Sequence, residues 1–231
     1  MSDPLAKLEA RIGHVFRHRA HLVLAMTHPS WAQDAPGDKQ NNQRLEFLGD
    51  VVVRLTLSEM LYRQFPRERE GGLTSRCALL VNGAFLAKLA REIGIDDALR
   101  LGASEESTGG RTRDNALGDA FEALMGAIFL DTDFETARRV LQGIYGDLRV
   151  RLDGIESAAN PKGRLQEIVQ PAHGNGALRY EVVKTAGLDH AKEFEVVVYL
   201  HDRAIGTGRG PSKKIAEIAA AAEALAALGK S

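Results

Sequence analysis

Residues 115–130, Asn-Ala-Leu-Gly-Asp-Ala-Phe-Glu-Ala-Leu-Met-Gly-Ala-Ile-Phe-Leu, are apolar on nearly every side of a helix, yet they carry Asp119 and Glu122. A helix that is apolar all round belongs deep in a bundle. Two carboxylates on it are costly to bury unless cations or strong donors meet them. The segment therefore requires other helices to cover it and something positive for the two acids to face.

The first two-thirds of the chain can supply those helices. Leu5, Leu8, Ile12 and Phe16 recur at helical spacing, and Leu22, Leu24, Ala25 and Met26 continue the pattern to Pro29. Residues 31–42 read as a polar loop, and 102–112 as a Gly/Ser/Thr-rich one. A long helix is expected from Gln43 to Gln64, with Asn42 as N-cap and Pro66 beyond its end. Further helices are expected over Thr74–Ile93, stopping at Gly94, and over Asp133–Leu152. No strand-period segment of useful length precedes residue 170, so residues 1–152 read as an all-α domain.

Residues 153–160 read as a linker, and the pattern then changes. A short helix carries Leu165, Ile168 and Val169; Tyr180–Lys184 suits a strand, and Gly187-Leu-Asp-His190 a turn. Phe194, Val196, Val198 and Leu200 alternate as a second strand, Ile205–Gly210 suits a third, and Pro211-Ser212 opens an alanine-rich helix to Leu228. Residues 161–231 are thus expected to form a small α+β domain in α-β-β-β-α order. The Ala219–Ala222 run fits close packing of that helix on the sheet.

Charge is informative by placement. Totals of 30 Lys and Arg against 31 Asp and Glu nearly cancel, but from Asn160 onward there are ten basic and eight acidic residues. A mildly basic tail follows an acidic body. The single cysteine, Cys77, excludes a disulfide framework or a Cys-based zinc site, and in Arg76-Cys-Ala-Leu-Leu it reads as a small apolar residue. No apolar run is long enough to span a membrane and no signal-peptide core opens the chain, so a cytoplasmic protein is expected. Gly109-Gly110 lacks the Lys-Ser/Thr ending of a phosphate loop.

A second acidic pair, Glu46 and Asp50, lies four residues apart in the long helix and shares a face, as Asp119 and Glu122 do at three. Two readings stand side by side. The pairs are solvated or matched by Arg44, Arg54 or Arg113, or they converge as a four-carboxylate site for a hard divalent cation such as Mg²⁺.

At these residues the chain resembles ribonuclease III, the endonuclease that cuts double-stranded RNA. Asn42-Gln-Arg-Leu-Glu-Phe-Leu-Gly-Asp50 is similar to the family's signature. Gly13-His-Val-Phe16, Leu22, Ala25-Met-Thr-His-Pro-Ser30, Phe65-Pro-Arg-Glu-Arg-Glu-Gly71, Leu80-Val-Asn82 and Asp119-Ala-Phe-Glu-Ala-Leu-Met-Gly-Ala-Ile-Phe-Leu-Asp131 follow in the family's order. The tail resembles a double-stranded-RNA-binding domain. The resemblance implies a Mg²⁺-dependent endoribonuclease, with Mn²⁺ able to substitute, that acts in RNA processing and turnover. Its products would carry 5′-phosphate and 3′-hydroxyl ends with short 3′ overhangs.

By the same resemblance, Glu46, Asp50, Asp119 and Glu122 correspond to metal ligands, with Asp50 and Glu122 catalytic, and Glu70 to an accessory acid. Phe47 matches an aromatic that enters a socket on a partner subunit, which implies a homodimer. Gln43 stands where the family commonly has Glu; it keeps the hydrogen-bonding reach and loses the charge. In the tail, Gln166, Glu167 and His190 are placed to meet 2′-hydroxyls in the minor groove of an A-form duplex. Lys213 and Lys214 open the last helix, where two cations on a positive helix end call for a phosphate. His28, beside Pro29 at a helix end, reads as a hydrogen-bonded structural histidine. The rival to the enzyme is a non-catalytic protein that binds double-stranded RNA.

Overall fold

A computed structural model describes residues 3–34, 40–186 and 192–228. The chain divides into two compact units, Met1–Arg151 and Leu152–Ser231. The first is helical: α1 (Pro4–Ile12), α2 (Arg19–Ala25), α3 (Pro29–Asp34), α4 (Gln43–Gln64), α5 (Glu70–Leu80), α6 (Gly83–Ile93), α7 (Ile95–Ala98), α8 (Ala103–Ser107), α9 (Asp114–Asp131), α10 (Phe134–Tyr145) and α11 (Leu148–Ala159), which runs past the division. Among the described residues no single helix is long and apolar enough to cross a membrane.

The apolar segment is α9, and it is the axis of this unit. Leu117, Phe121, Leu124, Met125 and Ile128 are fully buried, and α4, α6, α2 and α10 pack around them. The phenol of Tyr145 adds to this core and donates to the carbonyl of Leu80 at 2.9 Å, which satisfies its one polar atom.

Several boundaries differ from the expected ones, each for a local reason. The expected run Thr74–Ile93 is two helices, because the Asn82 side chain accepts from the Phe85 N–H at 2.9 Å and starts α6 afresh. The expected helix Asp133–Leu152 breaks at Gly146, whose φ of 63° leaves the helical region; the Arg151 guanidinium then donates to the carbonyls of Ile144 and Tyr145, both at 3.0 Å. At the start of α4 the capping oxygen is that of Asn41, which accepts from Gln43 N–H at 3.1 Å. Asn42 is buried and makes no cap bond. The expected loops at 31–42 and 102–112 contain α3, α8 and a turn of 3₁₀ helix at Gly110–Thr112, and α11 covers most of the expected linker. Cys77 is free and half-buried.

The second unit has α12 (Pro161–His173), β1 (Leu178–Ala186), β2 (Glu193–Leu200), β3 (Arg203–Gly210) and α13 (Lys213–Leu228). The strands form one antiparallel sheet in the order β1-β2-β3, with Val196 opposite Val182 and Gly208, and Val198 opposite Tyr180 and Gly206. Val196 and Val198 pack with Leu165 and Val169 of α12 and Ala216, Ala220, Ala221 and Ala224 of α13. Gly208 explains why α13 is alanine-rich: a Cβ there would sit 2.2 Å from the Ala220 nitrogen, so helix and strand backbones nearly touch. Only small residues fit on either side.

Candidate active site

The two acidic pairs meet where α4 crosses α9. A Cβ on Gly49 would lie 1.7 Å from the carbonyl oxygen of Glu122, and one on Gly126 would lie 2.3 Å from the carbonyl oxygen of Leu45. Glycine at both points lets the two backbones touch. That approach brings Glu46 and Asp50 of α4 up against Asp119 and Glu122 of α9. All four side chains are half-buried at the rim of a core that is otherwise apolar.

Crowding of like charge shows in their ionisation. Burial, followed by the charges of Asp50, Glu46 and Asp119, pushes Glu122 up to about 7, and Arg54 opposes this only weakly. Burial and then the charges of Asp119 and Asp50 raise Glu46. Burial also raises Asp119, with His28 acting against it. Among the described residues one ion pair reaches the group, from Arg54 Nε to Asp50 Oδ1 at 2.6 Å. Among the described residues, no Lys or Arg pairs with Glu46, Asp119 or Glu122; Arg113 instead pairs with Glu105. Matching by arginine therefore accounts for one acid of the four.

Four carboxylates from two facing helices, under-neutralised and half-buried, are the donor set that a hard, oxygen-seeking cation takes. The residues thus fit a divalent ion of the Mg²⁺ type. His28 was expected to be structural, and its Nδ1 does lie 2.8 Å from Ser30 Oγ. It also stands near enough to Asp119 to influence its charge, a link with no sequence signal because 91 residues separate the two.

The other expected site residues lie outside this cluster. Gln43 is exposed in the first turn of α4. Glu70 is exposed at the start of α5, where it accepts from Thr74 Oγ1 at 3.1 Å, and it is not among the charges that raise the four. Phe47 is 78% exposed, one step around α4 from Glu46; Val51 at 54% and Leu55 at 56% follow at helical spacing, and Tyr62 is exposed beyond them. In the second unit Lys213 and Lys214 are exposed at the start of α13, where Ser212 Oγ accepts from Ile215 N–H at 3.3 Å. On α12 Gln166 is half-buried, and Glu167 is exposed and pairs with Arg164 at 3.3 Å. His190 lies outside the described residues.

Comparison with known proteins gives the same two-part division. Residues 20–148 match the Ribonuclease-III-like family, and residues 161–228 match the double-stranded RNA binding motif. Ribonuclease 3 of Pseudomonas paraeruginosa and that of Pseudomonas putida are each 43% identical over 232 residues, spanning 99% of this chain and 97% of theirs. Among solved structures, the nuclease domain of ribonuclease III from Campylobacter jejuni is similar in two crystal structures. One superposes with a TM-score of 0.55 at 36% identity, covering 65% of this chain and 94% of that one, and its description concerns a region involved in dimer formation. The other gives a TM-score of 0.56 at 35% identity over 62% of this chain and 96% of that one. With the helical unit and the tail each matched, and relatives aligned almost end to end, the chain belongs to the ribonuclease III family.

Proposed function

We propose that this chain is a Mg²⁺-dependent endoribonuclease that hydrolyses the phosphodiester bonds of double-stranded RNA, leaving 5′-phosphate and 3′-hydroxyl ends with short 3′ overhangs. The observation that carries the reading is the convergence of Glu46, Asp50, Asp119 and Glu122 at the Gly49–Gly126 crossing, with Glu122 held near neutrality. Asp50 and Glu122 are the central pair; Gln43 and Glu70 are accessory. A Mg²⁺ or Mn²⁺ ion held there would supply Lewis-acid chemistry, activation of a water and stabilisation of the leaving 3′-oxygen. Glu46 and Asp50 of α4 and Asp119 and Glu122 of α9 would hold that cation. Arg54 fixes the Asp50 side chain through its 2.6 Å bond. Glu122, pushed up to about 7, would have to lose its proton before it could ligate.

We assign cutting to residues 1–152 and duplex reading to 161–231. Gln166, Glu167 and His190 would face 2′-hydroxyls, and Lys213 and Lys214 a phosphate. We also assign the exposed stripe of Phe47, Val51 and Leu55 to a homodimer interface. Apolar side chains this exposed and in line on one helix call for a cover, and the Campylobacter jejuni relative has a described dimer-forming region. A cytoplasmic location fits these assignments. The test is cleavage of an end-labelled RNA duplex with and without Mg²⁺. Metal-dependent cutting supports the enzyme; binding without cutting at any metal concentration would leave only a duplex-binding protein.

A further inference from the structure

At the far end of α9, nine residues and roughly 13 Å beyond Glu122, Asp131 is only 5% exposed. Its oxygens are held by backbone: Arg17 N–H donates to Oδ2 and His18 N–H to Oδ1, each at 2.8 Å. Burial alone would raise this acid, but those two donors and the rings of His21 and His18 more than reverse it, so the carboxyl stays below its ordinary range. Asp131 is therefore a buried anion.

Three histidines from one short stretch surround it. His18 Nδ1 lies 3.3 Å and His21 Nδ1 3.4 Å from Oδ1, while His14 Nε2 lies 3.8 Å from Oδ2. One ligand atom from each of His18, His21 and Asp131 falls within 4.8 Å of the others. The His14 side chain is 9% exposed. Its Nε2 and the Nδ1 of His21 are both buried with no aligned hydrogen-bond partner. A cluster built only for hydrogen bonding would not leave two buried imidazole nitrogens unaligned against a carboxylate. Ligand atoms bound to one tetrahedral ion at 2.0–2.1 Å stand roughly 3.3 Å apart, which matches the two shorter spacings.

We propose that His18, His21 and Asp131 form a binding site for a first-row transition cation of the Zn²⁺ class, with the buried His14 imidazole packed beside the second carboxylate oxygen. Two imidazoles and one carboxylate suit Zn²⁺ or Co²⁺, whereas the all-carboxylate cluster suits Mg²⁺. The bound ion ties the turn after α1 and the start of α2 to the end of α9. The inference stands independently of the proposed function.

The test is titration of the full-length protein with Co²⁺ in excess Mg²⁺, followed by visible absorption. Six-coordinate oxygen sites absorb weakly, while a low-coordinate site with two imidazoles absorbs more strongly. We expect one equivalent to develop such bands, with affinity at least tenfold lower in His18→Ala and His21→Ala and unchanged in Glu122→Gln. His18 has a side chain 72% exposed, so its replacement leaves the packing intact and keeps the test valid if the other variants fold poorly. Zn²⁺ should also raise the Tm of the parent protein and not that of His18→Ala. Absence of the bands at one equivalent, their retention in His18→Ala, or their loss in Glu122→Gln would overturn the proposal.

Discussion

Glu122 faces three other carboxylates on a helix that offers it no cation. Its ordinary ionisation near 4.5 moves to about 7 in the fold, so between those two values the native state holds a proton that the unfolded chain has released. Stability must then fall as pH rises through that window and level off above it. Glu46 and Asp119 move in the same direction and add to the slope. The part due to Glu122 is on the order of 1 kcal/mol once solvent screening of a half-exposed group is allowed for. Urea unfolding from pH 4.5 to 8 without divalent ions should show the decline, and millimolar Mg²⁺ should flatten it. Glu122→Gln should flatten it without metal and reduce cutting about a thousandfold, the scale of several kcal/mol of lost electrostatic stabilisation. Duplex binding should stay within about twofold, since the proposed RNA contacts lie elsewhere; unchanged cutting would remove Glu122 from the mechanism. Cleavage at limiting Mg²⁺ should rise with pH towards 7, and more Mg²⁺ should move that rise to lower pH.

At the scale of elements, the site depends on two helices coming closer than side chains normally allow. Gly49→Ala or Gly126→Ala places a methyl inside the van der Waals contact of a backbone carbonyl, so α4 and α9 must separate. Overpacking of this kind costs about 1–3 kcal/mol or more, and it also spreads the four carboxylates. Thermal unfolding should register the first effect, and a raised Mg²⁺ requirement for cutting the second; a variant with normal Tm and normal Mg²⁺ dependence would refute the crossing argument. The acid pairs themselves are legible in sequence, because helical spacing alone puts Glu46 with Asp50 and Asp119 with Glu122. Their mutual approach is not, because glycine inside a helix reads locally as a cost, and its purpose lies on the facing helix. The same blindness explains the boundary differences. Periodicity runs smoothly through Asn82 and Gly146 and carries no record of the cap at one or the positive φ at the other. The α-β-β-β-α order of the tail was legible because alternation and turn residues are local. Gly206 and Gly208 acquire their meaning only when α13 lies across them.

For the whole molecule the question is how one cutting unit and one reading unit act together, and the exposed stripe on α4 bears on it first. A two-fold interface uses each patch twice, and burying one Phe side chain contributes about 2 kcal/mol. Phe47→Ala should therefore favour dissociation on the order of a thousandfold, measurable by sedimentation of the full chain; a parent protein that stays monomeric at micromolar concentration would overturn the interface. If the dimer forms, each duplex meets two tails, and the second binds at raised effective concentration. Each tail should read shape, spanning about 16 base pairs largely through phosphates and 2′-hydroxyls, so duplexes of unrelated sequence should bind alike. Lys213 and Lys214 are exposed, carry no acidic partner among the described residues, and stand at the positive end of α13. Replacing both with Ala should remove about two phosphate contacts per tail, weaken every duplex equally, and lower the slope of log affinity against log salt by about 2 per tail engaged. The carboxylates are untouched by that change, so at low salt and saturating RNA the double variant should still cut at nearly the parent rate. Binding across a salt series and cleavage at saturating RNA separate the two units: unchanged affinity and slope would refute the phosphate contact, and lost cutting with retained binding would show that the tail acts on the catalytic step.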